Sequence, residues 1–178
     1  RFAIERDGVI TELAFETEFL PGIHYSEPAA STTAPMVFVG YGVHAPALAW
    51  DDYAGIELTG KIAVVLNGAP THFDVDQRAF HASSLVKSQA LEARGAVGVV
   101  TLRDPDEEAR RPWTLDAPNW RRPGMRLVDP QGAPVDDFPG LRARAGVTVD
   151  IARVLLEGSG VSVDELWAMR KDGKLRSF

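Results

Sequence analysis

The chain has 178 residues, of which 45% are hydrophobic and 25% charged, a balance that fits one globular domain with or without a tail. The net charge of −6 argues against a nucleic-acid-binding protein, because phosphate binding needs a concentrated positive face. The absence of cysteine excludes disulfides, thiol catalysis and zinc sites built on thiolates. No stretch approaches the roughly 20 apolar residues of a membrane span. Both ends of the sequence look like cuts in a longer chain, since it begins without Met or a signal peptide.

Short apolar runs predict the strands of the first hundred residues. Asp7-Gly8 separates the first two runs and favours a two-residue hairpin turn. Residues 20–35 contain three prolines and are predicted to form a loop. Gly40 and Gly42 then turn the chain, and residues 50–56 are predicted to form at most one helical turn. The predicted strands are residues 2–6, 9–15, 36–39, 61–66 and 97–102.

Residues 82–94 show the clearest helical pattern of this half. Lys87 and Arg94 are predicted to lie on the polar side, and Gly95 is a fitting C-terminal stop. Together with its flanking strands, this helix predicts a βαβ-like unit. Residues 71–80 are polar and are predicted to form a mobile loop. The apolar face is predicted to consist of Ala82, Val86, Ala90 and Ala93.

The second half of the chain gives weaker signals. Residues 103–124 are charged and rich in proline, and no regular structure is predicted there. Residues 125–128 and 147–149 are strand candidates. Asp150 is predicted to cap a helix that reaches Leu156. The capping box of Ser162 and Glu165 predicts a second helix, which ends near Arg170.

An ordered set of motifs carries a family resemblance. The set begins with VFVGYG at residues 37–42, DDYAG at 51–55 and GKIAVV at 60–65. Lys87, Gly95-Ala96 and GVV at 98–100 complete it. In this order the motifs resemble the protease-associated (PA) domain inserted in bacterial two-zinc aminopeptidases, relatives of glutamate carboxypeptidase and the transferrin receptor. Leu91 departs from the usual family form, in which a small residue is commoner.

The resemblance implies an α+β fold of the swivelling β/β/α type, with a β-rich core flanked by a few helices. It assigns residues 1–160 to the PA domain, with the matching core at 36–102, and residues 161–178 to a linker that returns to a peptidase domain outside this chain. The implied role is non-catalytic, covering the catalytic cleft and mediating substrate access or protein–protein contacts. The parent would be an exported zinc-dependent aminopeptidase whose zinc ligands lie in the peptidase domain.

Two other parents stay open at this point. The same core motif would look similar in the PA domain of a subtilisin-type protease and in that of a receptor-like sorting protein. The gene sequence on either side of the chain distinguishes these parents, because two-zinc ligands or a membrane span would lie there.

The turn at Gly40 also matches the dinucleotide-binding pattern G-x-G-x-x-[G/A]. That interpretation requires a helix after the turn and an acidic residue at the end of the next strand. The following segment contains Pro46 and Gly55 and is a poor helix, and the next strand ends at Asn67-Gly68. The pattern therefore does not predict a nucleotide site.

His72-Phe73-Asp74 has the H-x-D spacing seen at two-zinc peptidase sites. Two metals need about five ligands and a carboxylate that activates water, and the triplet lies in a polar stretch. We therefore predict no metal ligand, no cofactor-binding residue and no catalytic residue in this chain. A small self-contained enzyme using His72, His81 and nearby carboxylates is the competing hypothesis. No G-x-S-x-G elbow supports Ser/His/Asp catalysis, although a triad assembled across the fold stays open.

A segment rich in Trp and Arg is the remaining candidate for binding. Aromatic residues and arginine are enriched at interface hot spots. We therefore predict contact with the peptidase domain or with a peptide substrate through this segment; the alternative is a solvated loop whose tryptophans pack on the domain surface. The predicted contact residues are Trp113, Trp120, Arg121 and Arg122.

Overall fold

The computed structural model describes residues 1–22 and 30–178. Its strands and helices are short, and the longest helices have nine residues. The strands are β1 (Phe2–Arg6), β2 (Val9–Leu13), β3 (Phe19–Pro21), β4 (Met36–Phe38), β5 (His44–Ala45), β6 (Trp50–Asp51), β7 (Ile62–Leu66), β8 (Gly98–Leu102) and β9 (Ala143–Val147). The α-helices are α1 (Val75–His81), α2 (Ser84–Glu92), α3 (Pro105–Arg110), α4 (Trp113–Asp116), α5 (Ala152–Leu156) and α6 (Val163–Lys171). Single 3-10 turns lie at Pro46–Leu48, Ala117–Arg121 and Val149–Ile151.

The central sheet has five strands in the order β3-β9-β8-β7-β4. Strands β4, β7, β8 and β9 run parallel, and β3 pairs with β9 in the antiparallel sense. Leu66 of β7 pairs with Leu102 of β8, so the carboxyl ends of these strands meet at one edge of the sheet. Helix α2 connects β7 to β8, which confirms the predicted βαβ unit.

The two faces of the sheet bury separate hydrophobic clusters, because successive side chains of a strand point in opposite directions. On β7, Val64 and Leu66 belong to one cluster, whereas Ala63 and Val65 belong to the other. Leu91 of α2 lies in the second cluster and has no exposed surface. The chain is therefore a mixed α+β fold with a β-rich core flanked by helices, as predicted.

The first hairpin has the predicted two-residue turn. Arg6 pairs with Val9 across it, and both turn residues have positive φ, 51° at Asp7 and 78° at Gly8. A turn with two positive φ angles matches the twist of the flanking strands, which explains the preference for Asp-Gly.

Residues 163–178 pack on the same core as the central strands. Leu166 of α6 is fully buried, and Leu175 is 5% exposed. The ring of Phe178 stacks on that of Phe38 with centroids 4.8 Å apart. The backbone N–H of each of these two residues donates to the carbonyl of the other, at 3.0 and 3.1 Å.

The prediction of a loop at 71–80 is wrong, because α1 occupies most of this segment. Asp74 accepts a hydrogen bond from the N–H of Gln77, and the Gln77 side chain accepts one from the N–H of Asp74. This capping box starts a helix that buries none of its residues fully. The equivalent box of Ser162 and Glu165 starts α6, as predicted.

The prediction of an irregular segment at 103–124 is also wrong, since α3, α4 and the 3-10 turn Ala117–Arg121 lie there. Asp104 caps α3 through a hydrogen bond from Glu107 N–H, and proline occupies the first turn. Three smaller predictions also need correction. Residues 50–51 form a strand, residues 125–128 make an isolated bridge from Val128 to Pro134, and β9 ends at Val147 before a 3-10 turn.

The predicted loop at 20–35 begins within β3 and otherwise falls partly on residues 23–29, which lie outside the described residues. Within the residues that the structure describes, no helix combines the length and the apolar character needed to cross a membrane.

Candidate functional site

The Gly-Tyr-Gly turn is built around the carboxylate of Asp52. Gly40 and Gly42 both have positive φ, 49° and 67°, which side chains with a Cβ rarely adopt. Between and after them, the N–H groups of Tyr41 and Val43 donate to Oδ2 of Asp52 at 3.0 and 2.9 Å. Asp52 is 4% exposed, so the turn is closed by a buried carboxylate.

Burial raises the pKa of Asp52 to about 6, because a charged carboxylate is costly in a desolvated site. The hydrogen bonds from Val43 and Tyr41 and the positive charge of Lys87 act in the opposite direction. A second bond holds the turn from the other side. The hydroxyl of Tyr53 donates to the carbonyl of Gly42 at 2.7 Å.

Lys87 is buried on α2, which corrects the prediction that it lies on the polar side of the helix. Its Nζ donates to the carbonyls of Leu66 and Gly68 at 3.0 and 2.6 Å. Burial lowers the pKa of Lys87 to about 8, while the charges of Asp52 and Glu107 counteract this. The buried stripe of the helix is therefore Lys87, Ser88 and Leu91. The four residues predicted to form its apolar face are only half-buried or exposed.

Ion pairs hold α3, α4 and α6 at the carboxyl edge of the sheet. Arg103 directly follows β8 and is 6% exposed. Its guanidinium lies 3.1 Å from Glu108 of α3 and 3.0 Å from Asp116 of α4. Arg170 of α6 pairs with Asp104 at 3.0 Å. These ion pairs thus link three helices to the edge of the sheet, and removing one partner would leave the buried Arg103 or Asp104 charge uncompensated.

Trp113, one of the predicted contact residues, lies in the interior. It is 9% exposed, and its Nε1–H donates to the carbonyl of Glu16 at 2.6 Å. Its backbone N–H donates to the Glu108 carboxylate at 2.9 Å. The indole thus anchors α4 to the segment before β3.

Trp120 and Arg121 are exposed beside each other on the 3-10 turn. The indole of Trp120 is 38% exposed, donates to the carbonyl of Pro21 at 2.7 Å, and contacts Phe15 edge-to-face at 5.2 Å. Arg121 pairs with Glu16 at 2.6 Å. Arg122 follows in the chain and is exposed. We call Phe15, Trp120, Arg121 and Arg122 the Trp120 surface.

The triplet His72-Phe73-Asp74 has structural contacts. Asp74 is occupied as the N-cap of α1, and His72 packs against Trp50 with ring centroids 5.2 Å apart. In residues 1–22 and 30–178, no three His, Asp or Glu side chains are grouped to hold a metal ion.

The segment after the Gly-Tyr-Gly turn does not form a helix. β5 follows directly and pairs with β6, with a 3-10 turn at Pro46–Leu48 between them. The helix N-terminus that a dinucleotide phosphate needs is therefore missing at this turn.

Comparison with known proteins gives little support for an assignment. No protein-family model and no curated protein matches the chain. Among solved structures, the chain is similar to "Aminopeptidase from Aneurinibacillus sp. strain AM-1", with 20% sequence identity and a TM-score of 0.39. The match covers 81% of this chain and 28% of that one. At so low a TM-score the similarity carries no argument about function.

Proposed function

We propose that the chain is a non-catalytic PA domain of a zinc-dependent aminopeptidase. In this role it covers the catalytic cleft, governs substrate access and contacts other protein surfaces. The proposal rests on the ordered motifs of residues 36–102 and on one structural observation. Asp52 and Lys87, charged residues within that motif core, are both buried and both bound to backbone groups.

This observation favours a scaffold because of what the buried charges contact. Asp52 binds two N–H groups of the Gly-Tyr-Gly turn, and Lys87 binds two carbonyls at the end of β7. Each charge satisfies backbone groups that would otherwise lack partners in the interior. The motif residues thus hold the fold together, and contact with other molecules falls to exposed residues.

The Trp120 surface is the part of the chain best suited to such contact. Trp120 presents a partly exposed indole held by its bond to Pro21. Arg122 adds positive charge beside it, whereas Arg121 is paired with Glu16. Aromatic and Arg side chains on a fixed backbone are typical interface anchors. The peptidase domain of the same parent, or its peptide substrate, is the proposed partner.

The proposed parent is exported, to the periplasm or the extracellular space, and carries its zinc ions in the peptidase domain. In this proposal, residues 1–178 cover the catalytic cleft and contact other protein surfaces. They hold no reacting group in this proposal.

The natural full-length gene product is the material for the test. We expect its peptidase activity to be lost on chelation and restored by Zn²⁺. The double variant Trp120→Ala/Arg121→Ala should lower kcat/KM for a pentapeptide by about tenfold, and that for an aminoacyl nitroanilide much less. Arg142→Ala, at another exposed arginine, serves as the control.

Two outcomes would overturn the proposal. The first is chelator-resistant peptidase activity in the full-length protein. The second is an unchanged kcat/KM for the pentapeptide in the double variant, which would remove the Trp120 surface from any role in substrate access.

A further inference from the structure

A cleft of about 300 Å³ opens beside the Gly-Tyr-Gly turn and faces α1 and α2. Val43 of the turn and Val86 and Ala90 of α2 give it an apolar lining. His81, Gln89 and Arg94 add polar groups. An apolar lining with a few polar groups is the usual composition of a small-molecule site, and this volume lies at the small end of such sites.

Arg94 places a positive charge in this cleft in a fixed position. Its guanidinium carbon lies 4.0 Å from the centroid of the Tyr53 ring, and its Nη1 donates to the carbonyl of Ala90 at 2.9 Å. No carboxylate of the described residues lies within ion-pair distance of Arg94. Its other N–H groups are thus available to a ligand, and their planar arrangement fits a carboxylate.

Two imidazoles border the same cleft. His81 contacts the rings of Phe73 and Phe80, and burial lowers its pKa. Neutral imidazole retains one N–H donor, and in the described part of the chain no side chain accepts from His81. Nδ1 of His44 lies 3.2 Å from Asp51, which orients the ring and leaves Nε2 unused.

From this arrangement we propose that the cleft binds the carboxylate of a small ligand with an aliphatic body, such as the C-terminal residue of a short peptide. Arg94 binds the carboxylate, His81 and Gln89 donate hydrogen bonds, and Val43, Val86 and Ala90 contact the aliphatic part. The proposed lining consists of residues of this chain, and the proposal does not depend on the identity of the parent protein.

The test is an NMR titration of the ¹⁵N-labelled chain with N-acetyl-leucine and, separately, with N-acetyl-leucinamide. The two ligands differ only in the carboxylate. We expect saturating shifts of the Gly42, His81 and Arg94 amides by N-acetyl-leucine, with a dissociation constant on the order of 1 mM for a ligand of this size. The amide should bind about tenfold more weakly, because it loses the charge-assisted bonds.

Variants that each remove one arginine test whether Arg94 binds the carboxylate. Arg94→Gln should weaken N-acetyl-leucine binding about tenfold, whereas Arg78→Gln on the exposed side of α1 removes the same charge and should leave binding unchanged. If Arg94→Gln does not fold, His81→Phe, which keeps the ring contacts and removes the donor, should weaken binding about threefold.

The proposal is overturned by any of three results. These are no saturation, equal binding of the acid and the amide, and equal loss in Arg78→Gln and Arg94→Gln. The last measurement is a competition between N-acetyl-leucine and inorganic phosphate. Phosphate that displaces N-acetyl-leucine with equal affinity would show that the aliphatic part contributes nothing, and that result also overturns the assignment.

Discussion

Gly40 lies directly against the Asp52 carboxylate, and a Cβ at position 40 would stand 2.5 Å from Oδ1 of Asp52. Gly40 therefore serves two purposes, since its φ of 49° also belongs to the left-handed region. We expect Gly40→Ala to lower the free energy of unfolding by about 3 kcal/mol, because backbone strain and displacement of a buried carboxylate combine. Urea unfolding followed by circular dichroism measures the change.

Gly55 is the matched control for this prediction. Its φ is 73°, but apart from its neighbours in the chain no atom lies within 4 Å of a Cβ built there. Gly55→Ala should therefore cost only the backbone strain, about 1 kcal/mol. Equal losses in the two variants would contradict a steric role for Asp52.

Asp52 should make the stability of the fold depend on pH in the acidic range. Its pKa is raised from 3.8 to about 6, so the folded protein binds this proton more tightly than the unfolded chain. Stability from this group is thus fully present below pH 3.8 and is lost as pH rises through 6. The free energy of unfolding of wild type minus that of Asp52→Asn should fall by up to about 3 kcal/mol between pH 4 and 6.5. Asp172→Asn, which changes an exposed carboxylate, is the control. A difference that rises with pH would refute the burial argument.

Lys87 should make the free energy of unfolding rise with pH in the alkaline range, opposite to the effect of Asp52. Burial lowers its pKa from 10.5 to about 8, so between these values the unfolded chain binds the proton and the folded protein releases it. Stability from this group is absent below pH 8 and rises towards pH 10.5. The free energy of unfolding of the wild type minus that of Lys87→Met should rise by up to about 3 kcal/mol between pH 8 and 10.5. The same difference for Lys171→Met, at an exposed position, should not change with pH. If the difference for Lys87→Met also does not change with pH, the Lys87 amine is hydrated and the burial argument is wrong.

Replacing Trp113 with Ala should lower the free energy of unfolding more than replacing Trp120 with Ala. Trp113 is buried, so Trp113→Ala should cost about 3–5 kcal/mol of unfolding free energy through the cavity that it leaves. Trp120→Ala removes a partly exposed ring and one hydrogen bond to Pro21, and should cost about 1 kcal/mol. Denaturant titration of both variants tests the ranking. Similar costs would show that the indole of Trp120 is as important to the fold as that of Trp113.

Local patterns predicted the elements whose residues follow the common rules. The Asp-Gly hairpin, the central strands β4, β7 and β8, and the capping box of Ser162 are confirmed. Each signal lies within a few residues of the element that it predicts. Two signals of the same kind were present but passed over. Asp74 with Gln77 and Asp104 followed by Pro105 are helix starts, and polar composition hid them.

The burial of Lys87 and Trp113 has a different cause. A helical pattern places charged residues outward, whereas Lys87 is buried because two carbonyls at the end of β7 accept from its amine. Trp113 is buried because the carbonyl of Glu16, far away in the sequence, accepts from its indole. Such partners are brought together only by the tertiary fold, and no local spacing reveals them. The cleft at Arg94 is assembled in the same way from the turn and two helices.

The position of β3 at the edge of the sheet has a consequence for the rate of folding. Phe19 pairs with Val147, near the opposite end of the sequence, and β9 itself docks on β8. The chain must therefore order most of its length before its third strand has a partner, and such distant pairings slow the search for the native state. We expect refolding on the scale of milliseconds to seconds, with the first hairpin protected from hydrogen exchange before β3.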